Sequence, residues 1–471
     1  MSAAFDQSLI QGNILRGYRR ARVRHLVLSV LDRAAVRRWL DASVSGRADQ
    51  APQITSGGPW AAKPDICFNI GLTFEGLRAL GVPLRSLETF PLEFSSGMHR
   101  RAVKLGDVGP SAPEHWPAPF DQPEKVHLIA SIYSDHLSHL DDVQRQVADP
   151  GKAGAFRLLG ARDGWAFNGD FVHFGYRDGI SQPRFEGIQD AQNHRDSQPR
   201  TPLGTVLLGK PTVFEGLVWR VPQPSELGML GCFNAFRVLA QDVAGFEAYL
   251  DQTATELLAH PSVHELLPAG AEAAFGSGVT RHAALRELVA AKMCGRWRNG
   301  MPLAQSPDHP RVGETRALND FDYGSDAACP YGAHTRRCNP RGAAIVQRGA
   351  NHSRRLVRRG LPYGPAYDPA NPADGIERGL LGNFLGANLG AQFEAMSCDW
   401  LNLGLQDPRI TGSNDPLLGA NDPATSWFDI PLKSGASIRL RGLPRFVQTR
   451  GGAYTFLPSM EAIKYLGSLT D

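Results

Sequence analysis

The sequence is short of net charge, of paired cysteines and of long apolar runs, and each shortage excludes a class of protein. Eight lysines among 50 basic residues leave 42 arginines, and against 47 acidic residues the net charge is +3. That balance is too near neutral for a nucleic-acid binder working by bulk charge. No stretch reaches the roughly 18 apolar residues of a membrane helix; runs such as LVLSVL (Leu26–Leu31) are strand-length. The opening segment MSAAFDQSLIQGNILRGYRR lacks the apolar core of a secretory signal. The expected location is therefore cytoplasmic, with no membrane partner. Six cysteines (Cys67, Cys232, Cys294, Cys329, Cys338, Cys398) include no CxxC pair. Neither a zinc centre nor a disulfide framework fits them, so free thiols are expected. Walker-type loops, GxSxG elbows and HExxH motifs are also missing.

What is present is an ordinary globular composition, 42% hydrophobic and 21% charged over 471 residues, long enough for two or three domains. The 50 glycines and 34 prolines gather in connecting stretches such as Gly109–Pro123 and Gln198–Pro211, which predicts long structured loops. Strand-then-helix units recur between them. HLVLSV (His25–Val30) precedes the helical DRAAVRRWLDA. ICFNIGL (Ile66–Leu72) precedes TFEGLRALG, closed by Gly81. VHLIASIY (Val126–Tyr133) precedes SDHLSHLDDVQRQV, with Ser134 or Asp135 as N-cap. CFNAFRV (Cys232–Val238) then repeats the opening unit, followed by AQDVAGFEAYLDQTATELL. A half-chain repeat of this kind predicts two similar α+β domains that set strands against helices. The boundary falls near Pro222–Gly228.

Three segments could carry chemistry. In FGYRDGISQPRFEG (Phe174–Gly187), Asp178 lies between Gly175 and Gly179. Such an aspartate commonly holds its own turn; the alternative is a carboxylate framed by glycines so that something large can come close. In CPYGAHTRRCNPR (Cys329–Arg341), His334 precedes an arginine pair, either as a structural histidine or as a ligand. In RRLVRRGLPYG (Arg354–Gly364) the arginines form a solvated basic face or an anion-binding patch. The pairs His136–His139 and His260–His264 have metal-compatible spacing but no further ligands nearby, and read as solvated helix histidines.

Together these segments resemble the dye-decolourising haem peroxidases. GYRDGISQP is similar to that family's glycine–aspartate signature, CPYGAHTRRCNPR to its proximal-histidine segment and VRRGLPYG to its distal-arginine segment. IQGNILRGY (Ile10–Tyr18), GRWRNGMPL (Gly295–Leu303), NDFDYGSD (Asn319–Asp326), QFEAMSCDWLN (Gln392–Asn402), NDPLLG (Asn414–Gly419) and RFVQTRGGAYTFLPS (Arg445–Ser459) extend the resemblance in order along most of the chain. It looks most like the family's longer members.

The resemblance implies an α+β fold of two ferredoxin-like domains, 1–225 carrying the aspartate loop and 226–471 holding haem b. It implies His334 as the axial iron ligand, oriented by a carboxylate. Asp415 matches that position best, ahead of Glu394 and Asp422. Asp178 would serve as acid and base toward hydrogen peroxide, and an aspartate in that role implies activity shifted toward acid pH. Arg358 would stabilise charge on the breaking O–O bond. Arg336 is expected to pair with a haem propionate, and Tyr363 to relay electrons from small or bulky aromatic donors. RGLLGNFLG departs from the family by placing Gly382 and Asn383 where a bulky residue is expected to line the distal pocket.

The leading reading is a haem peroxidase that oxidises phenolic or dye-like donors. A haem-handling protein of the same fold with little turnover is the second, and a basic-patch binder around Arg354–Arg359 the third. Monomer and homo-oligomer are equally compatible with the sequence.

Overall fold

Two strands rich in apolar residues, β1 (Arg22–Val30) and β5 (Cys232–Gln241), occupy equivalent places in one antiparallel sheet, which has nine strands among the described residues. The computed structural model that shows this describes residues 5–148, 154–188, 198–214, 216–311, 318–324, 328–342 and 353–470. Ser325 and Asp326 of the NDFDYGSD stretch lie outside the described residues. The first half contributes β1, β2 (Cys67–Leu72), β3 (Leu128–Ser134) and β4 (Phe156–Trp165) in the order β4-β1-β3-β2. The second half contributes β5, β6 (Val357–Arg358) with β7 (Leu361–Tyr363), β8 (Gly379–Gly386) and β11 (Val447–Leu457) in the order β11-β5-β8-β6. Strands four, one, three and two therefore neighbour one another in both halves. This is the ferredoxin-like arrangement used twice.

The repeated opening unit folds as the sequence predicts. Helix α1 (Arg33–Ala42) follows β1, with Asp32 accepting from the Ala35 amide. Helix α4 (Val243–Leu258) follows β5, with Asp242 accepting from the Gly245 amide. Each cap satisfies an amide that the helix leaves open, a contribution of about 1 kcal/mol. Helix α2 (Phe74–Ala79) is capped by Thr73, and Gly81 just after it takes a φ of +77°. Helix α3 differs from expectation. It runs from Leu137 to Val147 without a side-chain cap. Asp135 is instead spent on Arg20 and the Ala21 amide, and Ser134 Oγ faces His139 Nδ1 at 2.9 Å.

The halves meet where β11 runs beside β2, with Phe456 opposite Leu72. Phe90, Phe94, Phe233 and Phe456 pack there with ring centroids 5.2–5.6 Å apart along the ring Phe90–Phe94–Phe233–Phe456. Gly71 has no room for a side chain, since a Cβ would lie 2.6 Å from Thr455 Oγ1. A buried ion pair also ties the segment after Leu105 to β5. Asp107 takes both Arg237 amino groups at 2.6 Å, and Thr449 of β11 completes the set.

Helix α5 (Arg281–Cys294), capped by Thr280, packs on α4, and a two-stranded ribbon of β9 (Trp427–Pro431) and β10 (Ser437–Arg441) lies apart from the main sheet. Short helix α6 (His334–Cys338) packs on one π-helical turn, Met396–Asn402, which follows another, Leu389–Glu394. Such turns are rare and collect at functional sites. The last helix, α7 (Met460–Ser468), packs back on α1. All six cysteines are free thiols. Among the described residues no helix is long and apolar enough to cross a membrane.

Candidate active site

His334 opens α6, after Ala333, whose extended backbone ends the preceding turn. Its Nδ1 lies 3.0 Å from Asp415 Oδ2. Asp415 is fully buried, and its other oxygen accepts from the Leu417 and Leu418 amides at 2.9 and 2.8 Å. With Oδ1 so engaged, Oδ2 is left for the imidazole. Burial pushes the Asp415 carboxyl up, but the facing His334, the Arg337 cation and the Leu418 amide together bring it below its ordinary range. Burial likewise disfavours charge on His334, while Cys338 and Asp415 favour it and carry its pKa well above the usual value.

Arg337 fixes the helix to the Asp415 loop. Its guanidinium donates to the Gly332, Trp400 and Ser413 carbonyls at 3.0 Å and to Ser413 Oγ at 2.6 Å. The other two carboxylates that the sequence offered as partners are occupied elsewhere. Glu394 is bound by Arg101 and Tyr454, and Asp422 caps its own turn through the Ala424 amide.

Asp178 stands on a loop that its glycines make possible. Gly175 and Gly179 have φ of +78° and +73°, which a side chain would strain. The Asp178 amide donates to the Asp170 carbonyl at 2.9 Å, and Phe171 pairs with Arg177 across the loop. The same loop grips β6. Gln182 exchanges two hydrogen bonds of 3.1 Å with the Arg358 backbone, and Arg358 Nη2 donates to the Ser181 carbonyl at 2.8 Å. Arg358 Nη1 then lies 3.5 Å from Asp178 Oδ1, with the two side chains 41% and 45% exposed.

His334, Asp178 and Arg358 line one cavity of about 360 Å³. Its walls include Ile180, Leu356, Phe384, Phe393, Leu401 and Leu417. Arg296 and Arg341 also reach it, and both guanidinium groups stack on Phe321, at 5.2 and 3.8 Å. Burial pulls Arg296 down to about 10. A buried cation at a cavity edge favours an anionic ligand.

Two of the expected groups stand away from the cavity lining. Arg336 does not line the cavity. Two residues along a helix turn a side chain through about 200°, so His334 and Arg336 point to nearly opposite sides. Arg336 donates to the Cys329 carbonyl and stacks on Tyr331 at 3.9 Å and Tyr323 at 4.7 Å. Cys338, one turn on, shares the His334 side instead, its sulfur 3.9 Å from Nε2. Arg341 ends the same CPYGAHTRRCNPR stretch, but its place depends on a backbone φ of +54° past the helix end, which no helical spacing foretells.

The pair Gly382–Asn383 does not line the cavity either. Phe384 on β8 lines it, and its ring covers Gly382, where a Cβ would meet the ring at 2.5 Å. Asn383 alternates to the other face, accepting from Asn234 at 2.8 Å and donating to the Arg359 carbonyl. The bulk missing at position 382 is thus supplied two residues later. Tyr363, at the end of β7, lies off the cavity, its hydroxyl 3.0 Å from Glu377.

No family model matches the chain. Among curated proteins it is 30% identical to "Multifunctional dye peroxidase DyP2" of Amycolatopsis sp., over 97% of this chain and 95% of that one. The chain belongs to the dye-decolourising peroxidases. It is also 28% identical to the dye-decolorizing peroxidase of Mycena epipterygia, over 99% of this chain and 88% of the relative. Among solved structures it is similar to a dye-decolorizing peroxidase in complex with 2,6-dimethoxyphenol. That match has a TM-score of 0.78 and 26% identity and covers 98% of this chain and all of the other. An ancestral D-type dye decolorizing peroxidase matches with a TM-score of 0.79 and 25% identity over 99% of this chain and 100% of that one. As a dye-decolourising peroxidase the chain is a haem enzyme, an oxidoreductase that acts on hydrogen peroxide.

Proposed function

We propose that this peroxidase uses haem b, held through His334, to reduce hydrogen peroxide and to oxidise phenolic or bulky, dye-like aromatic donors. One observation carries the assignment of residues: His334, braced by buried Asp415, opens on the same cavity as the Asp178–Arg358 pair. The donor set fits the cofactor. Asp415 engages Nδ1, which leaves Nε2 as the ligating nitrogen. Apolar walls suit the macrocycle, and Arg341 and Arg296 would hold its carboxylates in the role that the sequence suggested for Arg336. When bound, the haem supplies the iron at which the O–O bond is cleaved and the store of oxidising equivalents.

The protein's own groups manage protons and charge. Asp178 takes the proton from the peroxide oxygen that binds and returns one to the oxygen that leaves as water, so one carboxylate serves both steps. Arg358 stabilises negative charge on the breaking bond, a contribution of about 3 kcal/mol for a well-placed donor in a site that excludes water. Asp415 holds the imidazole in one tautomer and raises its basicity. Donors too large for the cavity would deliver electrons through Tyr363, whose ring lies on Gly379 of β8, next in sequence to the cavity-lining Leu380. A haem-handling protein with little turnover gains nothing from Gly382 and Asn383, since neither side of that pair lines the cavity.

The test is an absorption spectrum of the haemin-reconstituted protein, titrated with one equivalent of hydrogen peroxide. A Soret band that converts on adding peroxide and returns on adding a phenol or dye is the expected result. A band that ignores peroxide would reject the reading.

A further inference from the structure

Around Tyr363 a single layer of sheet divides two depressions. Leu239 of β5, Leu380 of β8 and Val447 and Thr449 of β11 face the haem cavity. Their sequence neighbours Ala240, Gln448 and Arg450, with Arg378, line a surface groove of about 550 Å³. Strand side chains alternate in this way, so the wall between cavity and groove is one strand layer deep. Gln241, at the end of β5, touches both spaces. Tyr363 lies against this wall. It is in register with Gly379, where a Cβ would come within 2.8 Å of the ring.

Glu377 joins the phenol to the groove. Its Oε1 accepts from the Tyr363 hydroxyl at 3.0 Å, and its Oε2 pairs with Arg450 Nε at 3.1 Å. The carboxylate lines the groove and is half exposed, so it can exchange protons with water. The phenol cannot simply ionise: burial first, and then the negative Glu377, raise it far above its ordinary range, against the weaker pull of Arg450 and Arg162. Losing an electron without losing the proton would leave a radical cation on a half-buried ring, which the partial burial disfavours.

We propose that Glu377 is the proton acceptor of the Tyr363 relay. Tyr363 gives one electron to the peroxide-oxidised cofactor. Its O–H bond breaks, the proton passes to Glu377 Oε1, and a neutral tyrosyl radical remains. An aromatic donor at the surface then gives back one electron while Glu377 returns the proton, so the pair is restored and the donor leaves oxidised by one electron. This rests on the reading of Tyr363 as the relay, and the experiment separates the two.

The haem-loaded parent and its Tyr363→Phe, Glu377→Gln and Glu377→Asp variants, each first checked for its Soret band, are mixed with one equivalent of hydrogen peroxide. The samples are freeze-quenched for electron paramagnetic resonance. The expected result is a tyrosyl signal in the parent that Tyr363→Phe removes. Glu377→Gln should slow its formation by about 100-fold, the low end for a positioned proton acceptor, and Glu377→Asp should restore part of the rate. A signal that forms in Glu377→Gln at the parent's rate overturns the role of Glu377 and leaves the relay standing. A parent without a tyrosyl signal, or a signal undiminished in Tyr363→Phe, overturns the relay and the role of Glu377 with it.

Discussion

His334 and Asp178 line the same cavity but are held in different ways. Asp415, the partner of His334, is fully buried, with one oxygen on two amides and the other on the imidazole. Arg337 beside it spends its guanidinium on three carbonyls and a hydroxyl. Asp178 and Arg358 are nearly half exposed and meet at 3.5 Å, longer than a tight charge-assisted bond. The difference matches the work proposed for each side. An axial ligand must keep one geometry through the cycle, so it is built rigid. A group that exchanges protons with an incoming molecule needs access and room to close on it.

The sharpest way to break this comparison is to remove the rigid side's ligand. His334→Ala should lose axial ligation altogether, and an unaltered Soret band in the reconstituted variant would reject the assignment. On the open side, Asp178→Asn should keep haem bound and slow the reaction with peroxide by about 10²–10⁴-fold; stopped-flow absorbance measures it directly. Arg358→Leu should follow with about 10²–10³-fold, again without loss of haem. If either variant released haem instead, the two sides would not be separable as described. Asp415→Asn tests the bracing itself. Haem affinity should fall by about 10–100-fold in a haem-transfer assay, whereas unchanged affinity would make the buried carboxylate ornamental to ligation. The smallest effect on the cofactor is expected from Arg336→Leu. It should leave haem binding intact and lower stability by about 1–3 kcal/mol through lost stacking and an unsatisfied carbonyl, read as a drop in melting temperature. Weakened haem binding there, and not in Arg341→Leu, would return the propionate role to Arg336.

Much of this could be read from the residues, and the failures share a cause. β1, β2, β3 and β5 are apolar runs and were legible as strands. β4 (Phe156–Trp165) was not, because its FRLLGARDGW pattern mixes glycine and charge along a half-exposed edge. Its place comes from pairing with β1 across nine residues of register. Within the candidate site, His334, Asp178 and Arg358 stood in recognisable strings, and all three line the cavity. Arg336 is close to His334 in sequence, and a helix converts that closeness into an opposite face. Gly382 looks like a gap in the sequence, but the next residue on its strand face, Phe384, fills it. What neighbouring residues do for one another across a turn or a pleat is set by backbone geometry, and composition does not record it.

β11 closes the sheet between β2 and β5, and its Val447 and Thr449 form part of the cavity wall. In the time order of synthesis this strand is made after almost everything it touches. The first half can pair β4, β1, β3 and β2 as soon as residue 165 is available, but the second half lacks its fourth strand until residues 447–457 have left the ribosome. Such pairing over a long sequence separation is slow to form, and the aromatic junction at Phe456 cannot pack before it. The cavity therefore stays open on one side until this strand has emerged. Its completion and the joining of the two halves become a single late event.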